Sequence, residues 1–155
     1  MHLIQQSTGE KIEAIIESLM PVEFKIIKKS KRFPGFSWDL EKKNEVVKIR
    51  RFDSDEVLGL MSLIDFKQEL WIKINLLQIS KENVGNRKEY DRIAGCLISY
   101  ACKQAFIRGY GGFVALEPKT ELQALYINKY GMAIAGKHFY SSTENSESLI
   151  QEYYK

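Results

Sequence analysis

The sequence has little of what staples, clasps or anchors a protein. It holds two cysteines, three prolines and two histidines in 155 residues. Cys96 and Cys102 fall in one stretch that reads as a helix. Their spacing puts them on nearly opposed sides and too far apart along the axis for a disulfide. They read as buried thiols in a reducing compartment, which suggests the cytoplasm. His2 and His138 are far apart and lack spaced partner ligands, so no metal site is expected. No apolar run approaches the ~20 residues of a membrane-spanning helix, and Met1–Gln6 lacks the apolar stretch of a signal peptide. Neither a Walker loop nor a G-x-S-x-G elbow occurs. Low-complexity segments and solenoid-length repeats are missing as well.

What is present suits one soluble globular domain over residues 1–155, with 45% hydrophobic and 28% charged residues. A chain of this length buries roughly 70% of its unfolded surface, enough for one core without disulfides or metals. The net charge of +3 is unevenly spread: Val22–Arg51 carries ten Lys/Arg against four Asp/Glu. Such a segment either attracts phosphates or serves as a solvated face.

Hydrophobic spacing predicts a helix over 9–20, with Ile12, Ile15, Ile16 and Leu19 on one face and Pro21 as its stop. Residues 22–35 give no clear period, and Pro34-Gly35 marks a turn. Phe36–Leu40 alternates like a strand, joined through Lys42-Lys43-Asn44 to a β-branched strand at Val46–Arg51. Val57–Phe66 and Leu70–Ser80 read as two further strands. Lys81–Asp91 is a polar loop. Arg92–Arg108 is a long helix whose apolar stripe includes Ile93, Ala94, Leu97, Ile98, Ala101, Cys102, Ala105 and Phe106, ended by glycines. Phe113–Leu116 then reads as a strand, Thr120–Tyr130 as a helix, Met132–Tyr140 as a strand and Ser146–Tyr154 as a helix. Consecutive strands form an antiparallel meander. The strand–helix–strand unit brings its second strand in parallel, giving an α+β fold with a mixed, mostly antiparallel sheet and flanking helices.

Chemistry concentrates where Leu70–Ser80 feeds through the loop into the helix at Arg92. The first helical turn, from Ile93, offers backbone N–H groups without intrahelical partners at the positive end of the dipole. Ala94 and Gly95 are small enough for close backbone approach. Asn86, Arg87, Lys88 and Arg92 add donors, which makes the junction a candidate pyrophosphate site.

The run Tyr90–Ile98 resembles the coenzyme A pyrophosphate loop of the GNAT acetyltransferases, Q/R-x-x-G-x-G/A followed by a leucine pair. Two registers fit. One takes Arg92-x-x-Gly95 as the Arg and first Gly. The preferred one anchors Leu97-Ile98 as the leucine pair, with Ala94 at the final Gly/Ala, Arg92 at the first Gly and Glu89 at the Q/R. Further along, Gly111–Thr120 resembles the family's fifth strand. Leu122–Tyr126 with Tyr130-Gly131-Met132 is similar to its A-x-x-L-Y-x-k-x-G-F ending. Val57–Leu60 is similar to its third strand. Together these cover roughly residues 46–140.

The resemblance implies an N-acetyltransferase that uses acetyl-CoA, moving its acyl group directly to a small-molecule or protein amine. It implies that the main chain at Leu77, Gln78 and Ile79 polarises the thioester carbonyl and pairs with the pantetheine arm. Lys119 occupies the place where many relatives hold that arm with an Asn. Tyr126 matches the tyrosine that protonates the departing thiolate, and Glu117 or an ordered water takes the amine proton. A homodimer is possible in this family. The alternatives are a catalytically weak acyl-CoA-binding domain and a toxin acetylating aminoacyl-tRNA, prompted by the basic Val22–Arg51 segment; nucleic acid is the less expected partner. The identity of the amine is not readable.

Overall fold

The computed structural model describes Met1–Tyr154; Lys155 lies outside these residues. Its centre is one nine-stranded sheet. The strands are β1 (His2–Gln5), β2 (Lys11–Ser18), β3 (Glu45–Arg51), β4 (Gly59–Phe66), β5 (Trp71–Ile79), β6 (Tyr90–Asp91), β7 (Val114–Leu116), β8 (Ala133–Ala135) and β9 (His138–Ser141). In space they run β6-β1-β2-β3-β4-β5-β7-β9-β8. Every pairing is antiparallel except β5 with β7, the pair joined through the long helix. The expected α+β class and parallel crossover are therefore both found.

Four helices flank the sheet: α1 (Pro21–Ser30), α2 (Ile93–Ile107), α3 (Gln123–Asn128) and α4 (Thr143–Leu149), the last continued by a π-helical turn at Ile150–Tyr154. α2 is buried nearly all round, with Cys96, Leu97, Ile98, Ala101, Cys102 and Ala105 fully enclosed. Each buried Leu or Ile there contributes roughly 1.5–3 kcal/mol. Gly59 lets α2 settle onto β4, since a Cβ at that position would meet Ile93 at 2.9 Å and Leu97 at 3.1 Å. α1 covers the opposite face over β3 and β4, in a second cluster of Leu19, Phe24, Ile27, Phe33, Trp38, Val46, Val57 and Leu60. Both cysteines are buried and unbridged, and burial pushes each thiol up to about 11.

The first third departs from its sequence reading. Residues 9–20 are not a helix but hold β2, hydrogen-bonded between β1 and β3. The isoleucines fit a period of 3.6, yet Ile12 and Ala14 alternate inward with exposed Lys11 and Glu13 between and beside them. Pairing with two β-rich neighbours decided the case. Pro21 starts a helix instead of stopping one: it fills the first turn of α1, where its missing N–H costs nothing. The Glu23 carboxylate reaches back to accept the Met20 N–H at 2.9 Å. Phe36–Leu40 is a loop leading into a 3-10 turn at Trp38–Glu41, not a strand. The apolar residues that alternate there do not share a face: Trp38 is turned into the core and Leu40 is left in solvent. Met132–Tyr140 is a hairpin rather than one strand, reversing at Gly136, whose φ is +62°.

Candidate active site

β5 and β7 stay paired over only three positions, Ile72–Val114, Lys73–Ala115 and Ile74–Leu116. They then part, and both strands contribute. On β5, Leu63 faces Ile74 while Ser62 faces Leu76, so Asn75 is an extra residue, a β-bulge that bends the strand. On β7, Glu117-Pro118 ends the ladder, because proline brings no N–H. The bulge also shifts parity. The Ile72 N–H donates to Phe113 O on the β7 side at 3.1 Å, whereas the Ser80 N–H donates to Leu58 O on the β4 side at 3.0 Å. Strand alternation between these fixed points turns the N–H groups of Leu77 and Ile79 into the lane that β7 has vacated.

The bulge is held from below by a residue that sequence reasoning passed over. Glu41 is 7% exposed. Its Oε1 accepts hydrogen bonds from Ser62 Oγ at 2.6 Å, Asn75 Nδ2 at 2.7 Å and Asn44 Nδ2 at 3.2 Å. Burial alone would raise its pKa, but these three donors outweigh burial and hold the carboxyl below the ordinary 4.5. No sequence motif marks Glu41, since two of its three partners, Ser62 and Asn75, come from strands distant in sequence.

At its far end the lane meets the N-terminus of α2. Arg92 is the N-cap and is left-handed, with φ 81° and ψ 4°. The first intrahelical bond is Cys96 N–H to Arg92 O at 2.9 Å. The N–H groups of Ile93, Ala94 and Gly95 therefore have no helical acceptor. The Arg92 N–H is taken by Asp91 Oδ1 at 2.8 Å, and Lys88 Nζ lies 2.9 Å from the same carboxylate. Burial would raise the Asp91 pKa; the Lys88 ammonium and the Arg92 N–H outweigh it and keep the group ionised. The loop before α2 is pinned by buried Asn83, whose amide donates to Ser80 Oγ and whose Oδ1 accepts the Tyr90 N–H at 2.8 Å. Arg32 braces it from outside through Glu82.

A cavity of about 260 Å³ lies between this terminus, the loop and α3. Of the residues expected at the cofactor, Ile79, Lys88, Arg92, Ile93 and Ala94 line it together. Asn83, Gly85, Leu122, Leu125, Lys129 and Tyr130 line it as well and were not anticipated. Leu77 and Gln78 lie further back on β5. The Gln78 side chain faces away from the lane, accepting from Trp38 Nε1 at 2.7 Å and donating to Pro34 O at 2.6 Å. Asn86 and Arg87 are exposed on the loop. Arg92 faces the cavity beside its backbone, but its guanidinium is engaged elsewhere: it donates to His2 O at 3.2 Å and Glu152 O at 2.6 Å, and stacks over Tyr153. Gly95 also faces away, onto Tyr153, where a Cβ would lie 2.2 Å from the ring. Lys119 Nζ sits 4.7 Å from the centre of the Phe36 ring, across the lane's near end.

Tyr126 is buried on α3, its ring 5.9 Å from that of Tyr130. Burial raises its pKa, and no hydrogen bond contributes to the shift. Glu117 is exposed where β7 ends. Slight burial would raise its pKa, but Lys137, Lys73 and His138, at 3.7, 3.4 and 3.5 Å, prevail and hold it below the usual carboxylate range. Among the described residues there is no cluster of three or more His, Cys, Asp or Glu side chains able to hold a metal ion. No helix among them is long and apolar enough to cross a membrane.

No protein-family model and no curated relative matches the sequence. The fold does have solved counterparts. The ribosomal-protein-S18-alanine N-acetyltransferase of Escherichia coli superposes with a TM-score of 0.60 at 9% identity, over 83% of this chain and 90% of that one. A GNAT family acetyltransferase of Brucella melitensis, solved with acetyl-CoA, gives 0.58 at 12% identity over 84% and 88%. An N-acetyltransferase of Staphylococcus aureus Mu50 gives 0.59 at 13% identity over 84% and 98%. A bulged strand parting from its parallel neighbour, a left-handed entry into the crossover helix and these superpositions lead to one statement: the chain has the fold of the GNAT acetyltransferases.

Proposed function

We propose that the protein is an N-acyltransferase that moves an acetyl or similar acyl group from a coenzyme A thioester directly to a primary amine. One juxtaposition supports this most: the lane beside β5, with the Leu77 and Ile79 N–H groups turned into it, ends at the unpaired N–H groups of Ile93, Ala94 and Gly95. That geometry fits a donor with an amide-bearing arm and a pyrophosphate. An extended arm pairs with a free strand edge, and a phosphate suits a helix N-terminus flanked by Lys88 and Lys129. Coenzyme A supplies the acyl group as an activated thioester.

The chain's own groups supply the rest. An N–H of Leu77 or its neighbours, fixed by the bulge, polarises the thioester carbonyl as negative charge gathers on its oxygen. The amine nitrogen bonds to the acyl carbon while the carbon–sulfur bond breaks. One proton leaves the nitrogen for Glu117, directly or through water, and one proton reaches the sulfur from Tyr126, which recovers it from solvent. Glu117 is a weak base because Lys73 and Lys137 face it, with His138 beside them. It is nevertheless ionised at neutral pH, and the nitrogen becomes strongly acidic once it has attacked. Tyr126 suits its role because burial keeps the hydroxyl protonated.

Calorimetric titration with acetyl-CoA tests the reading, comparing wild type with Ala94→Asp. Aspartate in the first turn favours the helix but places a negative charge where the pyrophosphate would lie. Micromolar binding to wild type, weakened at least about tenfold in the variant with an unchanged Tm, is expected. Absence of wild-type binding at millimolar acetyl-CoA would overturn it.

A further inference from the structure

Beside the lane, between α1 and the loop that follows it, lies a second cavity of about 450 Å³. This size suits a small molecule. Phe24, Phe33 and Trp38 form its deep wall, and half-buried Phe36 stands at its mouth. The Trp38 indole N–H is already committed to Gln78, so the deep wall presents rings and no free donor. Charge is confined to the rim. Lys28 and Lys42 both pair with Asp39, at 3.6 and 3.3 Å. Lys31 makes no ion pair among the described residues, and Lys119 lies over Phe36. Two ammonium groups thus share one carboxylate, while Lys31 on the rim and Lys119 over Phe36 have no carboxylate partner among the described residues. The cavity borders both strands that part: its wall is hydrogen-bonded to the Gln78 side chain of β5 through Trp38 and Pro34, and the Phe36–Lys119 contact ties its mouth to the segment after β7.

From this arrangement, and resting on the acyltransferase reading above, we infer that the acceptor is a free α-amino acid, or a close analogue, with a bulky apolar side chain. The apolar body fills the ring-lined cavity. The carboxylate stays at the rim among the lysines. The amine shares a carbon with that carboxylate, so it too is held at the mouth, beside the lane. A polyamine would meet the rim with charge of the wrong sign and leave the cavity unfilled.

The test begins with calorimetry of L-phenylalanine against the protein without acetyl-CoA, which probes the cavity independently of the donor. Thiol release is then followed with L-phenylalanine, 2-phenylethylamine and spermidine as acceptors. L-phenylalanine is expected to bind, and to exceed both other amines in kcat/KM by about tenfold or more. Phe36→Ala and Lys31→Glu should each raise its KM about tenfold while the KM for acetyl-CoA stays put. Equal or better turnover of 2-phenylethylamine or spermidine would overturn the inference. So would a protein that binds acetyl-CoA but neither binds nor acetylates L-phenylalanine. Amino-acid binding without acetyl-CoA binding would instead keep the cavity's ligand class and remove the acyltransferase reading.

Discussion

At the scale of single residues, the two ionisable groups proposed for proton transfer are shifted in opposite directions, and each shift suits its proposed job. Tyr126 has nothing but burial acting on it, so its hydroxyl holds its proton above the ordinary value of 10. Glu117 faces Lys73, Lys137 and His138, so its carboxyl gives up its proton early. Under the proposed mechanism the donor Tyr126 and the acceptor Glu117 are both in their working forms at neutral pH. Because the tyrosine's pKa is raised, loss of its proton cannot slow the reaction until the pH exceeds about 10. The expected result is a kcat with no alkaline fall attributable to Tyr126 up to pH 9. Tyr126→Phe should lower kcat by about 10²-fold with the KM for acetyl-CoA unchanged, as steady-state thiol release across that range would register. A loss of acetyl-CoA affinity in its place would make Tyr126 a packing residue only.

At the scale of elements, the entry into α2 depends on a residue whose type disfavours it. A left-handed backbone favours glycine, yet Arg92 stands there. Its guanidinium spans His2, Glu152 and Tyr153, so the chain's two ends hold the N-cap in place. Arg92→Gly removes the brace but relieves the left-handed strain, whereas Arg92→Ala removes the brace and keeps the strain. Both variants should melt earlier than wild type. The alanine variant should bind acetyl-CoA more weakly than the glycine variant by about fivefold, the equivalent of roughly 1 kcal/mol of left-handed strain. Calorimetry on the folded variants measures the difference. The same element shows what was legible in the sequence. The unbroken stripe from Ile93 to Phe106 left no other way to fold α2, and the β-branched run of β3 and the apolar runs of β4 and β5 were equally clear. The positive φ also agrees with the register that puts Arg92 at the motif's first glycine. β2 was not legible, because Ile12, Ile15 and Ile16 satisfy a helical period while Ile12, Ala14 and Ile16 satisfy a strand period, and only their neighbours choose. Nor were Glu41 and the bulge at Asn75, which exist only once three distant segments meet. The use of Arg92's charge was hidden for the same reason: its partners lie about 60 and 90 residues away in sequence.

For the molecule as a whole, the basic excess of Val22–Arg51 is largely spent inside the fold. Arg32 pairs with Glu56 and Glu82, Lys48 with Glu17 and Glu23, Arg50 with Glu17, and Arg51 with Asp53. These carboxylates come mostly from outside the basic segment, so the local count overstated the field that solvent sees. The remaining cations are mainly lysines of α1 and its following loop, of which Lys28 and Lys31 line the aromatic cavity beside Asp39. A compact pair of that kind can balance one small anion. A nucleic acid needs cations spaced along a track, because its affinity comes from releasing many counterions at once. Deacylated tRNA is therefore expected to bind no more tightly than about 10⁻⁴ M at 150 mM salt, the non-specific range. A fluorescence-anisotropy titration repeated at several salt concentrations separates the cases. A weak response with a shallow salt slope fits a rim built for one carboxylate. Submicromolar binding that falls steeply with salt would mean that the α1 lysines act as a phosphate track, and the acceptor would have to be sought on RNA.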